Sequence, residues 1–179
     1  MMNLIEDFTP ILHKSDIEFI RLTQEDRDVV SFEFKKPAGM YWKAGQHGIF
    51  TFPDKHIKGR SFRGFSVASS PHEDTIRVAT RISDHPSDFK EHLMYLHEGD
   101  VFRMRGPFGP FHIIDSQKSA VFIAGGIGIT PFMGLLHEFR LNQEALPLAV
   151  RLVYADSDSE WPFMDEINDL TWEIDAFEV

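Results

Sequence analysis

Two short stretches of the chain contain residue types that can bind phosphate groups, and the first is RGFS, residues Arg63 to Ser66. An arginine guanidinium presents a planar set of donors that matches a pyrophosphate. If this stretch is a strand, Phe65 and Ser66 point to opposite faces, so the ring can lie near a flat ligand while the hydroxyl hydrogen-bonds its edge. An ordinary strand with a solvated arginine explains the same four residues. On spacing alone, that simpler explanation is the better one.

The second stretch is GGIGITP, residues Gly125 to Pro131, which directly follows an apolar run typical of a buried strand. Glycines allow a ligand to approach the backbone closely and tolerate positive φ angles. Thr130 fits the N-cap of a helix and Pro131 fits its first position. The free amides at such a helix start form an anion site. A tight turn without a ligand is the alternative, but the order of strand, glycines, cap and helix favours a phosphate-bearing ligand.

Short strands separated by turn residues fill the chain up to about Arg105 and are expected to position the first stretch. The predicted strands are Glu18–Leu22, Val29–Phe34, Gly48–Phe52, Phe65–Ala68, Thr75–Ile82 and Asp100–Arg105. Six strands at this spacing predict a small six-stranded antiparallel Greek-key β-barrel. One helix interrupts them, with Ser87 as its N-cap and Phe89 and Leu93 on its apolar face.

After the turn-forming residues 106–110, the pattern changes to alternating strands and helices. The predicted elements are strand Ala120–Ala124, helix Thr130–Arg140, strand Leu148–Tyr154, helix Pro162–Leu170 and a third strand beginning at Phe177. This alternation predicts a parallel α/β sheet. We therefore expect two domains, residues 1–112 and 113–179. Because two crossover units make a very small parallel sheet, the second domain is expected to be incomplete, through truncation, as a natural fragment or through completion by another copy.

The composition excludes several classes of function. The 18 basic and 28 acidic residues give a net charge of −10, which argues against nucleic acid or an anionic membrane as the main partner. There is no cysteine, and His92 and His97 are five residues apart on a helix, so no metal site is predicted. The first ten residues lack the features of a signal peptide, and we expect a cytoplasmic protein. Residues 119–136 carry no charge, but their glycines and Pro131 predict a strand, turn and helix instead of a membrane span.

Four motifs in a fixed order carry a family resemblance. They are the RGFS strand, the PSDF helix start at 86–89, the GPFG turn at 106–109 and AGGIGITP at 124–131. Together they resemble the ferredoxin–NADP reductase superfamily of flavin reductases, and most of all its bacterial flavodoxin/ferredoxin reductase and oxygenase-reductase branch. The family pattern at the first stretch is R-x-Y-S or R-x-Y-T, so Phe65 stands in place of the tyrosine. The resemblance implies an FAD-binding barrel followed by a nicotinamide-nucleotide-binding domain.

The resemblance also implies roles for individual residues. It places the FAD pyrophosphate on Arg63, with Ser87 as the second contact, and it places flavin N5 beside Ser66. Phe65 keeps the stacking surface of the family's tyrosine. The strand residues expected to line the flavin are Thr80 and Arg81. The residues expected under the NAD(P)H pyrophosphate are Gly126, Gly128, Thr130 and Pro131.

For a complete catalytic protein, the resemblance implies hydride transfer from NAD(P)H to FAD, with Ser66 as the main protein group at the reacting nitrogen. Single electrons would then pass to a ferredoxin, a flavodoxin, or an iron–sulfur or haem protein. The family's C-G-P-x-x-M-type turn is absent from this sequence. Two alternatives therefore stay open: a non-catalytic flavin- or nucleotide-binding module for electron transfer or regulation, and a barrel interaction domain without a cofactor.

Two charged stretches have open interpretations. Asp156, followed by Ser157, Asp158 and Glu160, could accept hydrogen bonds from a ribose diol and repel a 2′-phosphate, which favours NADH over NADPH. A solvated acidic loop explains these residues equally well. The basic residues between Lys55 and Arg63 could dock an acidic redox partner, shield flavin phosphates, or form a solvated loop.

Overall fold

The computed structural model describes residues 4–156 and 161–179, and its larger part is one antiparallel sheet of six strands. The strands are β1 Lys14–Gln24, β2 Val29–Lys35, β3 His47–Thr51, β4 Phe62–Ser66, β5 Thr75–Arg81 and β6 Val101–Phe108. Their order in the sheet is β4-β3-β6-β1-β2-β5, and every neighbouring pair is antiparallel. All six predicted strands are present, although β4 begins three residues before the predicted strand Phe65–Ala68 and ends at Ser66. The non-sequential order of neighbours agrees with the Greek-key prediction.

This sheet curls until its two edge strands face each other, and we call it the barrel. Just beyond the end of β4, the N–H of Ala68 donates to the carbonyl of Arg77 on β5 at 2.7 Å. Within the described residues, however, no hydrogen-bonded ladder joins β4 to β5, so the barrel is open along this line. Phenylalanine rings fill its interior, with the ring of Phe102 stacked between those of Phe34 and Phe50.

Two helical segments accompany the barrel. Helix α2, Asp88–Met94, follows the predicted start at Ser87 and buries Phe89 and Leu93 against the barrel interior. Helix α1, Leu4–Phe8, continues into a 3-10 turn and was not predicted, because a five-residue helix shows no periodicity in the sequence. The buried Asp7 carboxylate accepts hydrogen bonds from Lys43 and His112, which ties this segment to the barrel.

The second part is a parallel sheet, as predicted, and its strands lie in chain order. Its strands are β7 Ala120–Gly125, β8 Val150–Ala155 and β9 Phe177–Glu178, and its helices are α3 Thr130–Leu141 and α4 Met164–Glu173. One face of the sheet packs with the helices and is buried, whereas Val121, Ile123 and Val153 on the other face are exposed. Helix α4 begins two residues later than predicted, because Trp161 to Phe163 form a turn in which Phe163 adopts a φ of 65°.

The two parts share a core along a seam. The apolar cluster around α3 includes barrel residues such as Ala44, Ala68 and Ala79. Gly134 is the point of closest approach, since a Cβ built there would lie 2.5 Å from the carbonyl oxygen of Val67. The domain border near residue 112 stays a prediction.

The uncharged stretch 119–136 forms β7, a 3-10 turn and the first half of α3. In the portion of the chain that the structure describes, no helix combines the length and the apolar character that a membrane span requires.

Candidate functional site

The structure brings Arg63 of β4 to the start of α2. Nη2 of Arg63 donates to the hydroxyl of Ser87 at 3.0 Å, and Nη1 donates to the carbonyl oxygens of Arg60 and Phe62 at 2.7 and 2.9 Å. Ser87 occupies the predicted N-cap position in extended conformation, but its hydroxyl makes no cap hydrogen bond and accepts one from Arg63. The two residues expected to hold a diphosphate are therefore in direct contact.

Positive charge concentrates at this point. The guanidinium of Arg63 lies 5.0 Å from the ring centroid of Phe89, and Lys90 of α2 is close by. Burial and, next, the charge of Arg63 lower the pKa of Lys90. Two positive charges therefore lie close together beside a hydroxyl and a helix start. A bound anion would reduce the repulsion between them, so these residues fit the FAD pyrophosphate.

Phe65 and Ser66 point to opposite faces of β4, as expected for a strand. Phe65 is only 8% exposed, and its ring centroid lies 5.5 Å from that of Phe50 and 6.4 Å from that of Phe89. Its ring is thus part of the barrel core, and its role as a flavin contact stays a prediction. Ser66 is half-buried at the end of β4, next to the seam with α3.

His47 is a neighbour of Ser66 that sequence reasoning missed. It lies directly opposite Ser66 in the β3–β4 ladder, so both side chains are on the same face. The ring centroids of His47 and Phe108 are 4.4 Å apart, and the imidazole also packs directly against Gly109. Burial lowers the pKa of His47. His47 is found only from the register of β3 against β4, because that register places position 47 opposite position 66.

The two strand residues expected to line the flavin differ in their surroundings. Thr80 is buried in β5, opposite Val30 of β2. Arg81, at the end of β5, reaches across the seam: Nη1 is 3.0 Å from Asp28, and Nη2 is 3.1 Å from Asp156. Arg81 therefore faces the parallel sheet.

The glycine stretch forms the predicted turn between β7 and α3, with one difference. Residues Gly126–Ile129 form a 3-10 turn in which Gly126 adopts a φ of 51°. Thr130 already has helical φ and ψ, and its hydroxyl donates to the carbonyl of Ile127 at 3.1 Å. The prediction of Thr130 as N-cap is therefore wrong, because the 3-10 turn starts the helix earlier. Pro131 does lie in the first turn of α3, and a Cβ at Gly128 would meet only open space.

Asp156 follows β8 and lies beside this turn. Its Oδ2 would lie 3.6 Å from a Cβ built at Gly126. Its side chain is only 2% exposed and forms an ion pair with Arg81. The sequence suggested a carboxylate that accepts hydrogen bonds from a ribose diol, whereas here it is held by a barrel residue. Ser157, Asp158 and Glu160 lie outside the described residues.

The predicted residues thus form two groups along one seam. Arg63 and Ser87 meet on the barrel side, while Gly126 and Asp156 meet on the other side and are joined to the barrel by Arg81. The end of β4 reaches the seam as well, because the carbonyl of Val67 abuts Gly134 of α3. The contacts of Arg81, Gly134 and His47 were not predicted.

Comparison with known proteins finds reductase components of oxygenase systems among the similar sequences. No family model matches the chain. It is 29% identical over 160 residues to the reductase component of propane 2-monooxygenase from Mycolicibacterium goodii, covering 86% of this chain and 44% of that protein. The chain spans less than half the length of the first curated relatives that it matches.

Solved structures show the same fold. A ferredoxin–NADP+ reductase from Plasmodium falciparum matches with a TM-score of 0.78 and 15% identity, over 94% of this chain and 73% of that chain. The FAD/NAD-binding domain of a nitric oxide dioxygenase from Vibrio cholerae matches with a TM-score of 0.75 and 22% identity, over 90% and 71% of the two chains. In sequence the chain is thus similar to the reductase component of an oxygenase system, and in fold it is similar to a ferredoxin–NADP+ reductase and to an FAD/NAD-binding domain.

Proposed function

We propose that this chain binds FAD and acts in an NAD(P)H-dependent flavin reductase of the ferredoxin–NADP reductase type. The proposal is carried by one observation: the two phosphate-binding stretches, far apart in sequence, lie along one seam between a barrel and a parallel sheet. The chemistry that bound FAD supplies is acceptance of a hydride from NAD(P)H and release of electrons to a redox partner. The chain's residues bind and orient the two nucleotides.

On the barrel side, Arg63 and Ser87 hold the FAD pyrophosphate. The guanidinium is already oriented by its bonds to two backbone carbonyls, so little freedom is lost when an anion binds. Lys90 adds a second positive charge from α2. Thr80 and Phe65 support the flavin region from β5 and β4.

On the other side, the turn at Gly126 and Gly128 and the start of α3 at Thr130 and Pro131 hold the NAD(P)H pyrophosphate. The N–H of Thr130 is bonded to the carbonyl of Ile127 and Pro131 has none, so α3 contributes through its dipole, which favours negative charge at this end of the twelve-residue helix. Gly126 adopts a positive φ, which residues with a side chain rarely do. Because glycine has no side chain, the backbone of the turn also stays accessible to a ligand. Asp156 lies beside this turn, but its carboxylate is paired with Arg81, so the preference for NADH over NADPH stays a prediction from the sequence.

Ser66 lies where the two sides meet. Its hydroxyl can hydrogen-bond the reactive edge of a planar cofactor that lies between barrel and helix. The arrangement needs no strong base, because the side chains only hold the reactants in place.

The electron acceptor is proposed to be a redox protein such as a ferredoxin, a flavodoxin, or an iron–sulfur or haem protein. This is supported by the relative that serves as the reductase component of a monooxygenase. An exposed basic surface is available for an acidic partner beside the FAD site, formed by Lys55, His56, Lys58 and Arg60. Its loop is fixed, since the N–H of Lys58 donates to Asp88 at the start of α2.

The experiment is an absorption spectrum of the purified chain after reconstitution with FAD, recorded without oxygen before and after adding NADH. We expect flavin bands that NADH bleaches and that an artificial one-electron acceptor restores. Flavin bands that NADH leaves unchanged would favour a non-catalytic electron-transfer or regulatory module. Failure to bind FAD would refute the proposal.

A further inference from the structure

Strand β7 forms one edge of the parallel sheet, and in the described part of the chain β8 is its only partner. The N–H of Ala120 donates at 2.8 Å to the carbonyl of Ala149, which directly precedes β8. Because alternate residues of a strand direct their backbone groups to opposite sides, the N–H and C=O of Val121 and Ile123 point away from β8. We call this side of β7 the open edge. Such an edge offers a row of donors and acceptors to another strand.

The residues of β7 do nothing to prevent such pairing. Edge strands of natural proteins usually carry lysine or proline, or are very short, whereas β7 has the six residues AVFIAG. The side chains of Val121 and Ile123 are 64% and 75% exposed on the outer face of the sheet. The opposite edge differs, because β9 has only two residues and its Glu178 is paired with Arg151. Of the two edges, β7 is therefore the one suited to pairing with an apolar strand.

We propose that the open edge is a contact surface for a second copy of this chain, whose own β7 pairs with it in antiparallel orientation. This goes beyond the proposed function, because it concerns an assembly of the protein and neither nucleotide. The two copies are related by a twofold axis, so each β7 contributes the same residues. Two three-stranded sheets then join into one continuous sheet.

One register satisfies the backbone and the side chains together. When Phe122 lies opposite Phe122 of the second copy, Val121 lies opposite Ile123 of that copy. Both of these residues direct their backbone groups to the open edge, so they form a hydrogen-bonded pair, and their exposed apolar side chains meet on the outer face. A shift by one residue would place an outward side chain opposite an inward one. The strand is thus complementary to itself, which favours a second copy over an unrelated partner.

The contact is small, because it consists of one strand pair and an apolar stripe formed by Val121, Ile123 and, beside Ile123 on β8, Val153. Interfaces of this size are typical of transient complexes. We therefore expect a dimer in reversible equilibrium with the monomer and a Kd in the micromolar range. The net charge of −10 on each copy opposes association, so added salt should lower the Kd by screening this repulsion.

The experiment measures the Kd of the dimer by sedimentation equilibrium over a wide range of protein concentrations at fixed salt. We expect Ile123→Lys to raise the Kd about 10- to 100-fold, because it places a charge on the open edge, as natural edge strands do. The matched control is Val153→Lys, which makes the same change of charge on the same face but on β8, away from the open edge. Its Kd should stay within a few-fold of that of the unmodified chain.

A second variant tests the backbone of the open edge separately. Val121→Pro removes an N–H that points away from β8, so the ladder between β7 and β8 is kept. We expect it to raise the Kd about tenfold or more, since each dimer loses two hydrogen bonds. Circular dichroism checks that each variant is folded.

Three results would overturn the inference. One is an unmodified chain that stays monomeric at every concentration. The second is a dimer whose Kd does not change in folded Ile123→Lys or Val121→Pro. The third is a dimer that Val153→Lys disrupts and Val121→Pro does not, because the two copies would then pack through their outer faces.

Discussion

The position of the Arg63 guanidinium, which the proposed function assigns to the FAD pyrophosphate, is fixed by the protein itself. Its guanidinium makes three hydrogen bonds, two to backbone carbonyls of its own strand region and one to Ser87. The backbone bonds fix the plane of the group. The Ser87 hydroxyl is a neutral acceptor, so in the proposed site a negatively charged diphosphate would bind the guanidinium more strongly than the hydroxyl does.

At the residue scale, substitutions at the two ends of RGFS should have different effects, one on FAD binding and the other on the rate of FAD reduction. We expect Arg63→Ala to weaken FAD binding about 100-fold, since more than one charge-assisted hydrogen bond is lost. We expect Ser66→Ala to bind FAD within a few-fold of the unmodified chain but to be reduced by NADH about tenfold more slowly. FAD affinity by fluorescence titration and stopped-flow reduction measure the two effects.

A suitable control is Arg103→Ala, because Arg103 is another exposed barrel arginine whose hydrogen bonds go to Asp16. It should leave FAD affinity unchanged. If Arg63→Ala binds FAD normally, the pyrophosphate is held elsewhere and the site assignment is wrong.

At the element scale, α3 owes its position to one glycine. A glycine inside a helix usually costs about 1 kcal/mol relative to alanine. At Gly134, alanine is the less favourable residue, because its Cβ would lie 2.5 Å from the carbonyl oxygen of Val67 and 3.4 Å from that of Ser69. Backbone cannot move aside as a flexible side chain can, so the helix itself would have to shift.

We therefore expect Gly134→Ala to lower the free energy of unfolding by about 1–3 kcal/mol, the usual cost of overpacking a tight contact. Chemical denaturation measures the change. Gly128→Ala is the matched control, because a Cβ there meets nothing within 4 Å and its φ is not in the left-handed region. Its stability should stay within about 0.5 kcal/mol. A Gly134→Ala protein that is more stable than the unmodified chain would show that α3 can move freely along the barrel.

The strands and helices could largely be predicted from the sequence, whereas the contacts between them could not. Alternation and turn residues are local signals, and they located the six barrel strands and the β7–α3–β8–α4 succession. Thr130 was misplaced because a threonine before proline has the same local pattern whether it caps a helix or follows a 3-10 turn. The contact of Arg63 with Ser87 followed from the family resemblance. The pairing of Arg81 with Asp156 joins residues 75 apart, and no local pattern reports it.

At the scale of the whole molecule, charged residues surround one part of the seam. Arg77 of β5 donates to Glu166 of α4 at 2.9 Å, and His137 of α3 lies 2.7 Å from the same carboxylate oxygen. Glu73, from the loop before β5, approaches the other nitrogen of His137 at 3.2 Å, and Arg140 contacts that nitrogen too. This network joins the barrel to both helices of the second sheet.

Glu166 is the carboxylate at the centre of this network. Burial alone would raise its pKa, but the hydrogen bond from His137 and the charge and hydrogen bond of Arg77 outweigh burial and lower the pKa from 4.5 to about 2. A carboxyl group with a lowered pKa in the folded state stabilises the fold above its ordinary pKa. That contribution is lost as the pH falls from about 4.5 towards 2.

We therefore expect Glu166→Gln to lower the free energy of unfolding at pH 7 by roughly 3 kcal/mol, the equivalent of the lowered pKa. Because protonation of the unmodified chain removes the same contribution, the difference between the two proteins should shrink steadily below pH 4.5 and nearly vanish close to pH 2. Denaturation at a series of pH values measures it. The control is Asp165→Asn, an exposed neighbour on the same helix, which should change stability by less than about 0.5 kcal/mol. A difference for Glu166→Gln that is equally large at pH 7 and pH 3 would mean that the carboxylate charge does not stabilise the contact between the barrel and α4.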